Sequence, residues 1–201
     1  MPGKKETIRN LRAFIRDILL SRTYQHSSME NETNRADTRN FSHSYPRRLL
    51  AEVLWDCLTQ ATGYYDEKFF FEGPGTRAVQ IGDGGITTTF LSTFGRSKRE
   101  TPCTCEVKSQ PTLAQALNLI NGTSITHCIE RGKNLPAWTT QEKDPQQVIR
   151  SLYLTSLSRL PTESETTAFA KVLLTHPGGP RVALQDIFWA VLNSNEFIFN
   201  H

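Results

Sequence analysis

The sequence predicts a mainly α-helical fold: a single-domain helical bundle of about six or seven helices with one long irregular loop region. Three observations lead to this fold class. Apolar residues recur at the three- and four-residue intervals of a helix over most of the chain, and proline and glycine stand at helix boundaries. Residues 64–110 do not sustain this helical spacing. With 201 residues, of which 37% are hydrophobic, the chain can bury a core without metal or disulfides. We expect one domain over residues 1–201, with residues 64–110 as an ordered irregular excursion.

The first predicted helix runs from Thr7 to Leu20. Its apolar residues share one face, opposite Arg9, Arg12 and Arg16. We expect this amphipathic helix to dock on a core. The arginines interrupt any continuous apolar run, so the segment does not fit a signal peptide. The polar residues that follow, 21–45, predict a long loop.

The second predicted helix opens at Pro46, because proline suits a first helical turn whose N–H groups have no intrahelical partner. The apolar residues that follow at helical spacing are Leu49, Leu50, Val53, Leu54, Cys57, Leu58 and Ala61. Gly63 fits a left-handed stop. Cys57 lies on the apolar stripe, so we interpret it as a buried, inert thiol.

The excursion contains two glycine-rich turns, GPGTR at 73–77 and GDGG at 82–85. A loop of this length in a compact domain usually carries function or is packed by its own side chains. Residues 86–91 predict a short strand. GDGG does not fit a phosphate-binding loop, because no Lys-Ser or Lys-Thr follows it.

The last part of the chain predicts further helices. One follows Pro111 and ends at Gly122, and a short one covers residues 124–130. Asp144 and Pro145 open another helix. The positions that we expect to face the core in this helix and after it are Val148, Ile149, Leu152, Tyr153, Leu157, Phe169, Val172, Leu173, Leu184, Ile187, Phe188, Val191, Leu192, Phe197 and Phe199.

Two further signals complete the helical pattern. Thr162 and Glu165 have the spacing of a capping box, in which each side chain satisfies a backbone donor of the other residue. A turn at residues 176–180 precedes a final helix over residues 182–192.

The charge is uneven. The net charge of +3 arises in residues 1–48, which hold ten Lys and Arg against five Asp and Glu. No nucleic-acid-binding motif or aromatic interleaving accompanies this excess, so we interpret it as a solvated face and expect no nucleic acid partner. No apolar run reaches the roughly 18 residues of a membrane span.

Five arginines are candidates for binding an anion: Arg47, Arg48, Arg77, Arg96 and Arg99. Guanidinium groups suit a carboxylate, a sulfate or a sugar acid. Two structural alternatives stand beside this one. Arg48 and Glu52 have the i, i+4 spacing of a surface ion pair, and the arginines of the excursion can bind backbone carbonyls and hold the loop in place.

Four residues are candidates for a metal site or a disulfide: Cys103, Cys105, His127 and Cys128. A Cys-x-Cys pair followed 21 residues later by His-Cys is not a standard zinc spacing, so zinc is not expected. A disulfide would suit an exported protein, and structural thiols remain an alternative. No histidine is placed to activate a particular thiol, which argues against cysteine-protease chemistry.

Several long motifs carry a family resemblance: SRTYQHSS at 21–28, YPRRLLAEVLWD at 45–56, PGTRAVQIGD at 74–83, FGRSKRETPCTCE at 94–106, PTLAQALNLING at 111–122 and WAVLNSNEFIFNH at 189–201. Together they resemble the C-terminal part of the planctomycete-specific domain of unknown function that follows cytochrome c-like segments. The resemblance implies an extracytoplasmic protein, no agreed catalytic residues, and a sulfatase-like protein or a carbohydrate as possible partners. This chain lacks the haem motif Cys-x-x-Cys-His, so we expect no haem, and we expect it to be a C-terminal piece or a short relative.

The function that we expect is a non-catalytic interaction or scaffold module. The alternative is part of an enzyme or binding protein that acts on acidic or sulfated polysaccharide, with the arginine-rich loop binding the anion. The carboxylates of residues 56–83 follow no spacing typical of a catalytic pair. A redox role of Cys103 and Cys105 is a third hypothesis.

Overall fold

The computed structural model describes residues 10–65, 75–98, 112–141 and 144–200, and these residues are mainly helical, which confirms the predicted fold class. The α-helices are α1 (Leu11–Leu19), α2 (Ala51–Thr62), α3 (Thr89–Thr93), α4 (Leu113–Asn121), α5 (Thr123–Arg131), α6 (Asn134–Gln141), α7 (Pro145–Leu157), α8 (Glu163–Thr175), α9 (Gly179–Leu192) and α10 (Asn195–Ile198). A 3-10 helix covers Ala78–Gln80, and strands β1 (Arg47–Arg48) and β2 (Phe199–Asn200) form a small sheet. No helix in these ranges is long and apolar enough to span a membrane.

The chain divides into two compact units. The first comprises residues 1–47 and 199–201, and the second comprises residues 48–198. The expectation of one domain stays a prediction.

In the first unit, residues 21–45 form turns, as predicted. Asp37 organises one turn, because its carboxylate accepts hydrogen bonds from the backbone N–H groups of Arg39 and Asn40 at 2.9 and 2.8 Å. Hydrogen bonds from Ser42 and these N–H groups hold the pKa of Asp37 well below its usual range. The turn is thus fixed by a charged acceptor in its centre.

Helix α1 leaves its apolar face exposed. Asn10 begins the helix by accepting a hydrogen bond from the Ala13 N–H at 3.2 Å. None of the residues of α1 is buried, and Leu11 and Ile15 are 68% and 46% exposed. The expectation that this helix docks on a core stays a prediction.

Helix α2 begins at Ala51 and not at Pro46. The residues between them are extended, because Arg47 N donates to Asn200 Oδ1 at 3.0 Å and Leu49 N donates to the Ile198 carbonyl at 3.0 Å. These bonds come from the far end of the chain, which local patterns do not show. Gly63 ends α2 in the left-handed conformation, at φ 69°, as predicted.

Helix α2 lies in the middle of the second unit, where it contacts α3, α5, α6, α7 and the 3-10 helix. Its buried apolar residues are Ala51, Leu54, Trp55, Leu58 and Ala61. The predicted inward residues of α9 are all buried, whereas α8 buries Leu173 alone among the three positions predicted for it. Phe169 is half-buried and Val172 is 37% exposed, because α8 packs mainly on α7 and α9 at one side of the unit.

Residues 86–91 do not form the predicted strand. Thr88 Oγ1 accepts a hydrogen bond from Leu91 N at 3.2 Å and thereby caps α3. Phe90 of this helix stacks on Phe94 at 4.2 Å and lies 4.9 Å from Trp55, measured between ring centres. These buried aromatic contacts favour a helical turn over the extended chain that the apolar run suggested.

Candidate functional site

Arg96 holds residues 81–86 of the excursion against α2. Its side chain is 1% exposed, and its guanidinium donates to the carbonyl oxygens of Ile81, at 3.2 Å, and of Ile86. Its Nε lies 3.5 Å from a carboxylate oxygen of Glu52, on the first turn of α2. The buried positive charge is therefore matched by one negative charge and by fixed carbonyl dipoles.

Arg48 acts in the same way on the neighbouring turn. Its Nη2 donates to the Phe94 carbonyl at 3.0 Å, and its guanidinium carbon lies 5.5 Å from the centre of the Phe94 ring. Burial lowers the pKa of Arg48. These contacts support the alternative in which arginines hold the loop, while the predicted pair between Arg48 and Glu52 stays a prediction.

Asp56 anchors a third point of the excursion. Its carboxylate accepts hydrogen bonds from the N–H groups of Ala78 and Val79, at 2.6 and 3.2 Å, at the start of the 3-10 helix. Burial raises the pKa of Asp56, and the two hydrogen bonds and the charge of Arg77 oppose that rise. Three side chains of or beside α2 therefore fix the described part of the excursion.

A cavity of about 400 Å³ opens beside Arg96. Its walls are small or polar residues: Gly84, Gly85, Thr87, Arg96, Ser97 and Lys98. Gly84 packs directly on the chain at Lys98, because a Cβ at residue 84 would lie 1.8 Å from the Lys98 carbonyl oxygen. The Lys98 side chain is exposed, and it forms no ion pair with another of the described residues. This cavity, with its wall of six residues, is our candidate site.

The predicted anion-binding arginines do not form one cluster among the described residues. Arg48 and Arg96 bind carbonyls of the same region, Arg77 is exposed at the start of the 3-10 helix, and Arg99 lies outside the described residues. Arg47 belongs to the first unit, where its N–H binds Asn200.

Lys98 was missed by sequence reasoning, as was Gln115, which is buried and donates to the Thr93 carbonyl at 3.1 Å. The paired glycines 84 and 85 and the basic run that begins at Arg96 were the available signals for the cavity. A long-range contact between a glycine and a lysine carbonyl leaves no periodic trace.

The model of the PSD1 family, described as "Protein of unknown function (DUF1553)", matches residues 6–173. The chain belongs to the PSD1 family. No curated protein and no solved structure matches the chain significantly. The resemblance to a domain family of unknown function is thus confirmed at the level of the family.

The structure describes two of the four cysteine and histidine candidates of this PSD1 chain, His127 and Cys128. Cys103 and Cys105 lie outside the described residues. Cys128 of α5 is fully buried, while the neighbouring His127 packs its ring edge-on against Tyr64, at 5.4 Å between ring centres. Within the described ranges, no three His, Cys, Asp or Glu residues are grouped to hold a metal. Metal, disulfide and haem expectations stay predictions.

Cys57 is half-buried, and burial, together with the charge of Asp56, raises its pKa. A raised pKa keeps a thiol protonated and weakly nucleophilic. This agrees with the inert thiol that the apolar stripe predicted, although the side chain is less buried than expected.

A second charged cluster in the PSD1 chain joins three helices. Arg159, between α7 and α8, binds Glu165 of α8 at 2.8 Å and Glu196 of α10 at 2.5 Å. Its guanidinium carbon also lies 5.0 Å from the ring centre of Tyr153. Hydrogen bonds to Arg159 lower the pKa of Glu165 to about 2 and keep its carboxylate ionised. Glu165 is therefore not suited to act as a general acid. We assign the cluster to structure.

Proposed function

We propose that this PSD1-family chain is a non-catalytic interaction module of an extracytoplasmic, planctomycete-type protein, and the C-terminal part of a larger architecture. The observation that carries the proposal is the exposed apolar face of α1: Leu11, Phe14, Ile15, Ile18 and Leu19 are each more than 40% exposed. A contiguous exposed apolar surface is typical of a protein-binding site.

The charges beside this face indicate what covers it. The polar side of α1 carries exposed Arg12 and Arg16, one helical turn apart, and Arg12 borders the apolar face. An amphipathic helix binds through its apolar face in a groove, and flanking charges select the partner. The proposed occupant is therefore a protein with an apolar groove edged by carboxylates.

Arg48 and Arg96 support a non-catalytic role. Both use guanidinium donors on backbone carbonyls of the excursion, and Arg96 also meets Glu52. These bonds make the excursion a fixed surface and do not direct the two arginines at a reacting group.

The experiment uses the sulfatase-like protein that the family resemblance suggests as a neighbour. The chain is mixed with that protein, and the complex is measured by light scattering after gel filtration and by calorimetry. We expect a complex that the double variant I15E/I18E abolishes while its circular dichroism is unchanged. The matched control is L174E, which changes a leucine of α8 that is 77% exposed.

Four results would contradict the proposal: no complex, a complex indifferent to I15E/I18E, self-association of the chain that I15E/I18E removes, or binding of α1 to vesicles of phosphatidylcholine and phosphatidylserine. The second and third would place the interface elsewhere or make it a homodimer. The last would make the face a lipid-binding surface.

A second candidate function is binding or cleavage of acidic or sulfated polysaccharide. The cavity beside Arg96 and Lys98 favours it, since a basic, small-residue pocket suits an anionic sugar. Release of new reducing ends from such a polysaccharide, lost in a variant of the cavity, would show an enzyme and overturn the non-catalytic proposal.

A further inference from the structure

The cavity beside Arg96 has the size and the lining of a site for one small group. Its volume of about 400 Å³ is at the low end of ligand pockets in proteins. Gly84, Gly85, Thr87 and Ser97 line the cavity, and the Thr87 hydroxyl forms a hydrogen bond with the Ser92 hydroxyl at 3.0 Å. A volume of this size can hold one small group.

Lys98 is the exposed basic side chain of the cavity wall. Arg96 is also in the wall, but Glu52 lies 3.5 Å from it and compensates its charge. The carboxylate of Asp83 is turned back on its own loop, since it accepts a hydrogen bond from Gly85 N at 2.8 Å. Lys98 is the basic residue of the wall for which no ion pair within the described residues is found, and its exposed side chain can adapt to a ligand.

Fixed walls make this site more than a surface lysine. Arg96 ties the carbonyls of Ile81, Asp83 and Ile86 together, and Gly84 packs on the Lys98 backbone. The two segments that form the cavity are thus held against each other before any ligand arrives. Preformed walls reduce the ordering cost of binding.

We infer that this cavity binds the anionic substituent of an acidic sugar, a sulfate ester or a carboxylate, with Lys98 as its charged contact. This inference rests on the second candidate function, and it names the site and the ligand chemistry for it. It does not require catalysis.

The test measures binding of four probes to the full chain by calorimetry and by NMR: galactose 6-sulfate, glucuronic acid, galactose and inorganic sulfate. We expect the two acidic sugars to bind more tightly than galactose and than inorganic sulfate. The variant K98Q should bind the acidic sugars at least about tenfold more weakly, because one charge-assisted contact is lost. The matched variant K171Q, which changes an exposed lysine of α8, should bind them like the original chain.

Each other outcome overturns the inference. Equal binding of inorganic sulfate and of both acidic sugars would show a site for an anion only, without a sugar. Unchanged binding by K98Q, with its thermal midpoint also unchanged, would place the site elsewhere. No binding of any acidic sugar would remove the inference, while the complex through α1 would still stand or fall by its own variants.

Discussion

A guanidinium inside a protein is stable only when its charge and its N–H groups find partners. The charge of Arg96 is paired with Glu52, and its two terminal nitrogens donate to three backbone carbonyls. Lysine could not replace it, because an ammonium group lacks the planar fork that reaches Ile81, Asp83 and Ile86 together. One side chain thus determines how the glycine-rich turn lies on α2.

The first prediction concerns this side chain. The variant R96M should lose about 3 to 5 kcal/mol of unfolding free energy, because Glu52 and three carbonyls lose their partner. Urea denaturation followed by fluorescence measures the change. The control R150M alters an exposed arginine of α7 and should stay within about 0.5 kcal/mol of the original chain. Equal effects of both variants would show that the Arg96 contacts carry little free energy.

The second prediction compares two glycines of one turn. The variant G84A places a methyl group 1.8 Å from the Lys98 carbonyl oxygen, so the backbone must shift, whereas a methyl group at Gly82 meets no atom within 4 Å. We expect G84A to cost about 1 to 3 kcal/mol of unfolding free energy and G82A to be nearly neutral. Urea denaturation of both variants measures the two changes in unfolding free energy. A neutral G84A would contradict the close packing of Gly84 on the backbone of Lys98.

At the scale of elements, boundaries set by local chemistry could be predicted from the sequence. Thr162 and Glu165 form the predicted capping box, and Asp144 caps α7. Elements set by distant contacts could not. β1 depends on Asn200 and Ile198, and α3 depends on packing of Phe90 against Trp55. The candidate site was not predicted for the same reason, since nothing in the local pattern relates Lys98 to Gly84.

The third prediction concerns the junction of α7, α8 and α10. The pKa of Glu165 falls from an ordinary 4.5 to about 2 in the folded chain, first because of its hydrogen bonds to Arg159. Its contribution to stability is therefore complete above pH 4.5 and is lost as the pH falls toward 2. Because both side chains are about one-third exposed, solvent screening reduces this contribution to about 1 kcal/mol.

Urea denaturation between pH 7 and pH 2 measures this contribution. The variant E165Q keeps a capping side chain but removes the charge. Its deficit in unfolding free energy should be largest near pH 7 and vanish near pH 2. The control E163Q changes an exposed carboxylate in the same helical turn and should show a smaller deficit. A deficit of E165Q that is constant with pH would exclude the ion pair as its cause.

At the scale of the whole molecule, the sequence predicts the helical class because periodicity is a property of each segment. It does not predict how the segments group. The second unit takes its core from residues 48–198, with α2, α5, α7 and α9 supplying most buried apolar residues. All three tryptophans, Trp55, Trp138 and Trp189, belong to it. Tryptophan fluorescence of the full chain therefore reports on that unit alone.

The last prediction uses this property. A fragment of residues 48–198 contains its own buried core, so we expect it to unfold cooperatively, with a tryptophan midpoint within a few degrees of that of the full chain. Thermal unfolding of both proteins, followed by fluorescence and by circular dichroism, measures this. The variant I149E of this fragment, which places a carboxylate at a fully buried position, should lose the cooperative transition. If the fragment 48–198 itself lacks a cooperative transition, its stability depends on residues 1–47 and 199–201, and the single-domain prediction holds. If it unfolds as expected, the second unit is a domain in its own right, and the exposed face of α1 belongs to a segment that the core does not need.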